Sequence, residues 1–202
     1  MAAILYSYRR CPYAMRARMA LKYASIEVEI REISLRDKPA SMLQISPKGT
    51  VPVLQLGDLV IEQSVEIMHW ALEQSDPDGW LSVDQQLANA WLNTNDGPFK
   101  KLLDQYKYPN RHPELNPQEV LDSAVALMLD PMETALSKQA FLMGEHLSWI
   151  DVAIFPFIRQ FSMVNLEQFE ALPLPKLKHW LAKRLESKLF QSVMYKCPVW
   201  VE

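Results

Sequence analysis

The sequence has few cysteines and no long hydrophobic run. Only two of its 202 residues are cysteines, at positions 11 and 197. Met1 is not followed by a charged segment and then an apolar one, the pattern of a secretion leader. No apolar stretch approaches the ~18 residues of a candidate membrane-spanning helix. So little cysteine in a chain of this length argues against a secreted, disulfide-rich protein. The sequence therefore predicts a cytoplasmic protein.

An excess of charge of one sign is also missing. The 21 Lys and Arg residues nearly balance the 24 Asp and Glu residues, so neither a nucleic acid nor a membrane surface is an expected partner. No glycine-rich phosphate loop is present, and the four histidines, at positions 69, 112, 146 and 179, lack metal-ligand spacing. The expected partners are therefore small molecules, with no metal.

The chain divides into two parts with different secondary-structure patterns. Residues 1–76 alternate short β-type runs with helical ones in the order β-α-β-α-β-β-α, whereas residues 83–202 favour long helices. Asp-Pro and Asp-Gly pairs disfavour a continued helix and indicate a linker at 77–82. The predicted fold is an α/β domain with a four-stranded mixed sheet, of the thioredoxin-like type, followed by an all-α domain.

Cys11 is a candidate reactive thiol because it lies where the first predicted strand ends and the first predicted helix begins. The unpaired N–H groups and dipole of a helix N-terminus favour a thiolate, and four arginines between positions 9 and 18 add positive charge. Pro12 suits an early helical position. Because Ala14 replaces a resolving thiol, an external thiol must complete any catalytic cycle. The alternative is a buried cysteine that only fills space. Cys197, which lacks this context, is interpreted as structural or incidental.

Two further segments gain meaning beside Cys11. A cis Val51-Pro52 bond would turn the backbone N–H and C=O of Val51 outward as an edge for an extended peptide, although a proline before a strand is commonly only an edge residue. Gln63 and Ser64 stand at the start of the third helix, where side-chain and backbone donors can hold a carboxylate. An ordinary helix cap is the alternative there.

A lysine near these segments can neutralise a second carboxylate. Lys38 and Lys48 are the candidates, although most lysines in such loops are simply solvated. Together with Cys11, the set predicts a ligand that is a short peptide with a thiol in its middle and carboxylates at both ends. Glutathione is that molecule.

With these residues the chain resembles the cytosolic glutathione transferase superfamily, and most of all its omega class. The resemblance covers nearly the whole chain and rests on the segments Cys-Pro-Tyr-Ala at 11–14, Leu-Arg-Asp-Lys-Pro at 35–39 and Ser-Pro-Lys-Gly-Thr-Val-Pro-Val-Leu at 46–54. The omega pattern has Glu-Ser where this chain has Gln63-Ser64, and glutamine is found there in other classes.

The resemblance implies a role for each site residue. Cys11 is then the catalytic thiol, Val51 and Pro52 form the backbone clamp, and Lys38 contacts the glycine end of glutathione. Gln63 and Ser64 hold the γ-glutamyl end. The segment 144–151 is similar to a cap in the family's helical domain, which makes Ser148 and Asp151 structural. A homodimer is implied as well.

The leading hypothesis is a glutathione-dependent thiol transferase or reductase in which Cys11 forms a mixed disulfide with glutathione. The omega resemblance also implies dehydroascorbate reduction. The alternatives are a conventional transferase, in which glutathione itself attacks an electrophile, and a non-catalytic interaction module. The electrophile is expected between the two domains. Its candidate contacts, for which core packing is the alternative, are Tyr13, Trp91, Phe99, Tyr106 and Tyr108.

Overall fold

A computed structural model describes residues 3–202, which divide into two compact units. The first unit runs up to Trp80 and also includes Glu186–Glu202, and the second is Leu81–Leu185. The first two residues of the predicted domain 1–76 lie outside the described residues. The sequence placed all of 83–202 in the helical domain, whereas the structure assigns the final segment to the first unit.

The first unit contains a four-stranded mixed sheet with helices. Strand order is β2-β1-β3-β4, with β1 parallel to β2 and antiparallel to β3, and β3 antiparallel to β4. The predicted α/β order is confirmed. In chain order the elements are β1 Ile4–Ser7, α1 Pro12–Tyr23, β2 Glu29–Glu32, α2 Ala40–Ile45, β3 Val53–Leu56, β4 Leu59–Ile61 and α3 Ser64–Gln74, and α11 Lys188–Val193 joins them from the end of the chain.

The central strands β1 and β3 position the core of this unit. Leu5 pairs with Leu54 across the antiparallel ladder, and both side chains are fully buried. Alternation along the strands sends Tyr6 and Val53 to a second cluster with Ile33. Since β1 is central, the residues after it begin α1 at the carboxyl end of an interior strand.

The end of the chain covers the edge strand β2. The Trp200 N–H donates a 2.8 Å hydrogen bond to the Glu32 carbonyl, and the Trp200 ring meets Tyr6 edge to face at 6.1 Å. An edge strand presents unpaired backbone groups, and covering it with another segment satisfies them. This explains why the last segment packs with the first unit.

The second unit is helical, as predicted. Two π-helical turns, Asn95–Phe99 and Val125–Leu129, interrupt longer helices, and Pro98 in the first cannot donate to the preceding turn. The elements are α4 Gln85–Thr94, α5 Lys100–Lys107, a 3-10 turn Pro109–Arg111, α6 Pro117–Ala124, α7 Asp130–Leu136, α8 Trp149–Ser162, α9 Leu166–Ala171 and α10 Pro175–Leu185. In the described part of the chain, every helix is too short or too polar to span a membrane.

Ser148 and Asp151 meet at the start of α8. Oδ2 of Asp151 accepts hydrogen bonds from the Ser148 hydroxyl at 2.7 Å and from its N–H at 3.3 Å. Oδ1 accepts from the Leu142 N–H at 3.0 Å and from the Trp180 indole at 3.1 Å. The fully buried carboxylate thus ties a loop and α10 to the N-terminus of α8.

Candidate active site

Cys11 is the residue immediately before α1. Its extended conformation, φ −77° and ψ 122°, ends the turn after β1, and its N–H donates to the Tyr8 carbonyl at 2.9 Å. The Cys11 carbonyl accepts the first helical bond from Met15 at 2.9 Å. The side chain is partly exposed. A sulfur in this place lies at the positive end of the helix dipole.

The sulfur of Cys11 faces Val51, the first of the two residues of the predicted backbone clamp. Sγ lies 3.7 Å from the carbonyl oxygen of Val51, close enough for a thiol to donate a hydrogen bond. The Val51-Pro52 peptide bond is cis. The structure therefore brings together Cys11 and Val51, which are far apart in the sequence.

Ser64 is joined to the helix that follows Cys11. Nε of Arg16 donates a 2.9 Å hydrogen bond to the Ser64 hydroxyl, and both residues are buried. The Arg16 guanidinium lies over the Tyr13 ring, 5.0 Å from its centroid. Gln63, at the start of α3, is exposed. The Ser64 hydroxyl is thus held by a buried cation, and Gln63 faces solvent beside it.

The two candidate lysines have different surroundings. Nζ of Lys48 donates to the Glu62 carbonyl at 3.0 Å and lies 3.8 Å from its carboxylate. Lys38 is half-buried and lines a cleft of about 370 Å³ beside the end of the chain. Gly49 has φ +62°, and a Cβ there would lie 3.3 Å from the Lys38 ammonium. Glycine therefore permits both the turn and the close approach of Lys38.

Two of the candidate electrophile contacts are core residues. Phe99 is fully buried and Tyr106 is 8% exposed, and both rings pack on Phe161. The Tyr106 hydroxyl donates to Gln168 Oε1 at 2.8 Å, and burial raises the pKa of Tyr106. In this structure Phe99 and Tyr106 stabilise the second unit instead of facing a ligand, because their ring faces are used in packing.

The remaining aromatic candidates are more accessible. Tyr108 is 37% exposed, and Arg111 lies over its ring at 4.3 Å. Trp91 and Tyr13 are half-buried. These three side chains keep solvent-exposed surface, so burial does not argue against them as it does for Phe99 and Tyr106.

Two arginines near Cys11 are buried, which was not predicted from the sequence. In the sequence they were only a source of positive charge. Arg16 and Arg18 are 2% and 5% exposed, although charged side chains are seldom fully buried. The helix is covered on one side by α3 and on another by α11, so its polar face is also buried. The sequence contains no local signal for this, because α11 is distant along the chain.

Comparison with known proteins decides the family. Residues 5–79 match the model of the glutathione S-transferase N-terminal domain, and residues 118–183 match that of the C-terminal domain. The chain belongs to the glutathione S-transferase family. Glutathione S-transferase omega-1 of Rattus norvegicus is 30% identical over 196 residues, 93% of this chain and 78% of the rat protein. Omega-1 of Mus musculus is 29% identical over 194 residues, with the same coverage.

A solved structure supports the fold. A Pseudomonas fluorescens glutathione transferase family member, crystallised with two glutathione bound, has a TM-score of 0.76 at 20% identity and covers 96% of this chain and 92% of its own. The prediction of glutathione as co-substrate is confirmed by the family assignment. Among residues 3–202, no group of three or more His, Cys, Asp or Glu side chains is arranged to hold a metal ion.

Proposed function

We propose that the protein is a glutathione-dependent thiol transferase with Cys11 as its nucleophile. One observation carries the proposal: the sulfur of Cys11 lies at the N-terminus of α1 and 3.7 Å from the Val51 carbonyl. A helix N-terminus stabilises a thiolate, which is the reactive form. The similarity to omega-1 proteins supports the same choice.

In this proposal glutathione lies as an extended peptide beside Val51 and Pro52. The backbone of Val51 pairs with the cysteinyl residue of glutathione, so the ligand's sulfur comes close to Cys11. Gln63 and the α3 N-terminus at Ser64 receive the γ-glutamyl carboxylate. Lys38 receives the glycine carboxylate, since Lys48 is paired with Glu62.

The reaction is a pair of thiol–disulfide exchanges. The Cys11 thiolate attacks the glutathionyl sulfur of a mixed disulfide, the S–S bond breaks, and the released thiolate takes a proton from water. Cys11 is now bonded to glutathione. The thiolate of a second glutathione attacks this bond, which regenerates the Cys11 thiolate and yields glutathione disulfide. In sum, the mixed disulfide and one free glutathione give the reduced thiol and glutathione disulfide, so the sulfur of the released thiol is reduced as the sulfur of the free glutathione is oxidised. Dehydroascorbate reduction belongs to the same proposal, because it too ends when a glutathione thiolate releases glutathione disulfide from Cys11, although it consumes two free glutathione molecules.

A Cys11→Ala variant tests the proposal, with Cys197→Ser as the matched control for loss of the other thiol. We expect the wild type and Cys197→Ser to reduce a small mixed disulfide in the presence of glutathione, and Cys11→Ala to lose at least about a hundredfold in rate. Intact mass after exposure to the mixed disulfide should show one glutathionyl group, and peptide mapping should locate it on Cys11. Wild-type reduction retained in Cys11→Ala would overturn the proposal.

The Cys11→Ser variant separates the main alternative. If bound glutathione itself attacks the electrophile, conjugation of a chloro-aromatic substrate should survive or increase in Cys11→Ser, since a serine hydroxyl can donate a hydrogen bond to the glutathione thiolate. Loss of disulfide reduction without a gain in conjugation supports the thiol transferase. A chain that binds no glutathione would be an interaction module.

The proposed assembly is a homodimer in the cytoplasm, as the family resemblance implies. Light scattering of the full chain during size-exclusion chromatography measures the mass directly. A mass of twice 23.4 kDa is expected. A mass of 23.4 kDa at micromolar concentration would overturn the dimer and leave the thiol chemistry unaffected.

A further inference from the structure

Glu32, the last residue of β2, contacts the turn that leads to Cys11. Its Oε1 accepts a 2.7 Å hydrogen bond from the backbone N–H of Arg9. In the same turn the Cys11 N–H donates to the Tyr8 carbonyl, so Arg9 lies inside the loop that these two residues close. The carboxylate thus holds the main chain two residues before the thiol.

The other oxygen of the Glu32 carboxylate lies near a buried arginine. Oε2 lies 4.0 Å from the guanidinium of Arg18, and the two side chains are 11% and 5% exposed. Burial lowers the pKa of Arg18, and the charge of Glu32 raises it. Arg18 also donates to the Val193 carbonyl. The ion pair therefore joins β2, α1 and the end of α11.

The backbone of Glu32 is held as firmly as its side chain. It pairs with Ser7 in the parallel ladder, and its carbonyl accepts the 2.8 Å hydrogen bond from Trp200. The carboxylate therefore extends from a backbone that is hydrogen-bonded at both edges, and one of its oxygens is hydrogen-bonded to a peptide N–H while the other lies 4.0 Å from an arginine. A side chain held in this way can keep a neighbouring reactive group in a fixed position.

We propose that Glu32 is a positioning residue for Cys11: by accepting the Arg9 N–H it fixes the turn and keeps the sulfur at the N-terminus of α1. This inference rests on the proposed role of Cys11 as nucleophile. Displacement of a reacting atom by 1 Å can lower a rate by about a hundredfold. Loss of the hydrogen bond should therefore affect the chemical step more than glutathione binding.

Three variants separate the hydrogen bond from the charge and from a general loss of stability. Glu32→Met has a similar length but no acceptor, whereas Glu32→Gln keeps an acceptor oxygen and removes the charge. Glu29→Gln removes a charge at the other end of β2, where Glu29 pairs with Arg31 at 2.8 Å. Each full-length variant is assayed for mixed-disulfide reduction and for alkylation of Cys11 by iodoacetamide, with the modified peptide identified by mass.

We expect Glu32→Met to lower kcat by about tenfold and to change the KM for glutathione by less than about twofold. Alkylation of Cys11 should slow in parallel. Glu32→Gln should restore both rates to within about twofold of the wild type, because the acceptor is present. Glu29→Gln should match the wild type.

Two results would overturn the inference. One is a folded Glu32→Met variant with wild-type kcat and alkylation rate; the other is a Glu32→Gln variant as impaired as Glu32→Met, which would assign the effect to charge. If Glu32→Met does not fold, the double variant Arg18→Met/Glu32→Met removes the unpaired buried cation and is measured in its place. A wild type without reductase activity refutes the proposed function, whereas the alkylation rates still decide the role of Glu32.

Discussion

Nε of Arg16 lies 2.9 Å from the hydroxyl of Ser64, and this hydrogen bond joins the helix that follows Cys11 to the first residue of α3. Both side chains are buried. Within the packing of α1 on α3, this pair therefore links the helix that follows the thiol directly to the predicted γ-glutamyl contact. A change in Arg16 should alter glutathione binding without any contact between Arg16 and the ligand.

Replacement of Arg16 by Met tests this relationship. We expect the KM for glutathione to rise by about tenfold and the free energy of unfolding to fall by about 1 to 3 kcal/mol, because the buried Ser64 hydroxyl loses its donor. The KM comes from initial rates and the stability from urea unfolding. Lys22→Met, which removes an exposed positive charge from the same helix, should change neither quantity appreciably.

The two lysines give a second prediction. Lys38→Met should raise the KM for glutathione by about fivefold, whereas Lys48→Met should change it by less than about twofold, since Lys48 is bound to Glu62. With glutathione esterified at its glycine carboxylate, the wild type should lose affinity by the same factor and Lys38→Met should lose nothing more. An equal loss in both lysine variants would contradict the assignment of Lys38.

The order of elements in the first unit could be predicted because short β-type runs alternate with segments of helical periodicity along the chain. The tight turn between β3 and β4 agrees with its sequence, because a Gly-Asp pair between two β-type runs is typical of a hairpin and Gly57 adopts φ +63° there. The association of Cys11 with Val51 followed from the family resemblance and is observed as the 3.7 Å contact.

The end of the chain was harder to predict for a physical reason. The sequence favoured long helices throughout 83–202, whereas the structure ends with α10, a break, and the six-residue α11, whose N-cap is Ser187. Six residues are too few to show helical periodicity. The packing of α11 on α1 and the burial of Arg18 depend on residues that meet only in the folded chain. Local pattern therefore showed neither the buried pair of Arg18 with Glu32 nor the support it gives to the turn.

The buried carboxylate of Asp151 leads to a prediction about stability. Asp151→Ala leaves the Leu142 N–H, the Trp180 indole and two groups of Ser148 without their acceptor, so the free energy of unfolding should fall by about 3 to 5 kcal/mol. Asp84 is an exposed N-cap that accepts from the Gln86 and Leu87 N–H groups, and Asp84→Ala should cost only about 1 kcal/mol. If urea unfolding showed equal losses of unfolding free energy for the two variants, burial of the carboxylate would not determine the size of the loss.

His69 in α3 gives a pH dependence whose sign can be tested. Burial lowers the pKa of His69 from its ordinary value of 6.5, and the charge of Glu73 partly opposes this. The unfolded chain therefore binds a proton on His69 at a higher pH than the folded chain, so stability falls as the pH decreases through 6.5. In His69→Gln this component is absent. The free energy of unfolding of the wild type minus that of His69→Gln should be larger at pH 7.5 than at pH 5.5, and a difference independent of pH would contradict the prediction. Glu73→Gln should make the wild-type pH dependence steeper, because it removes the charge that favours protonated His69.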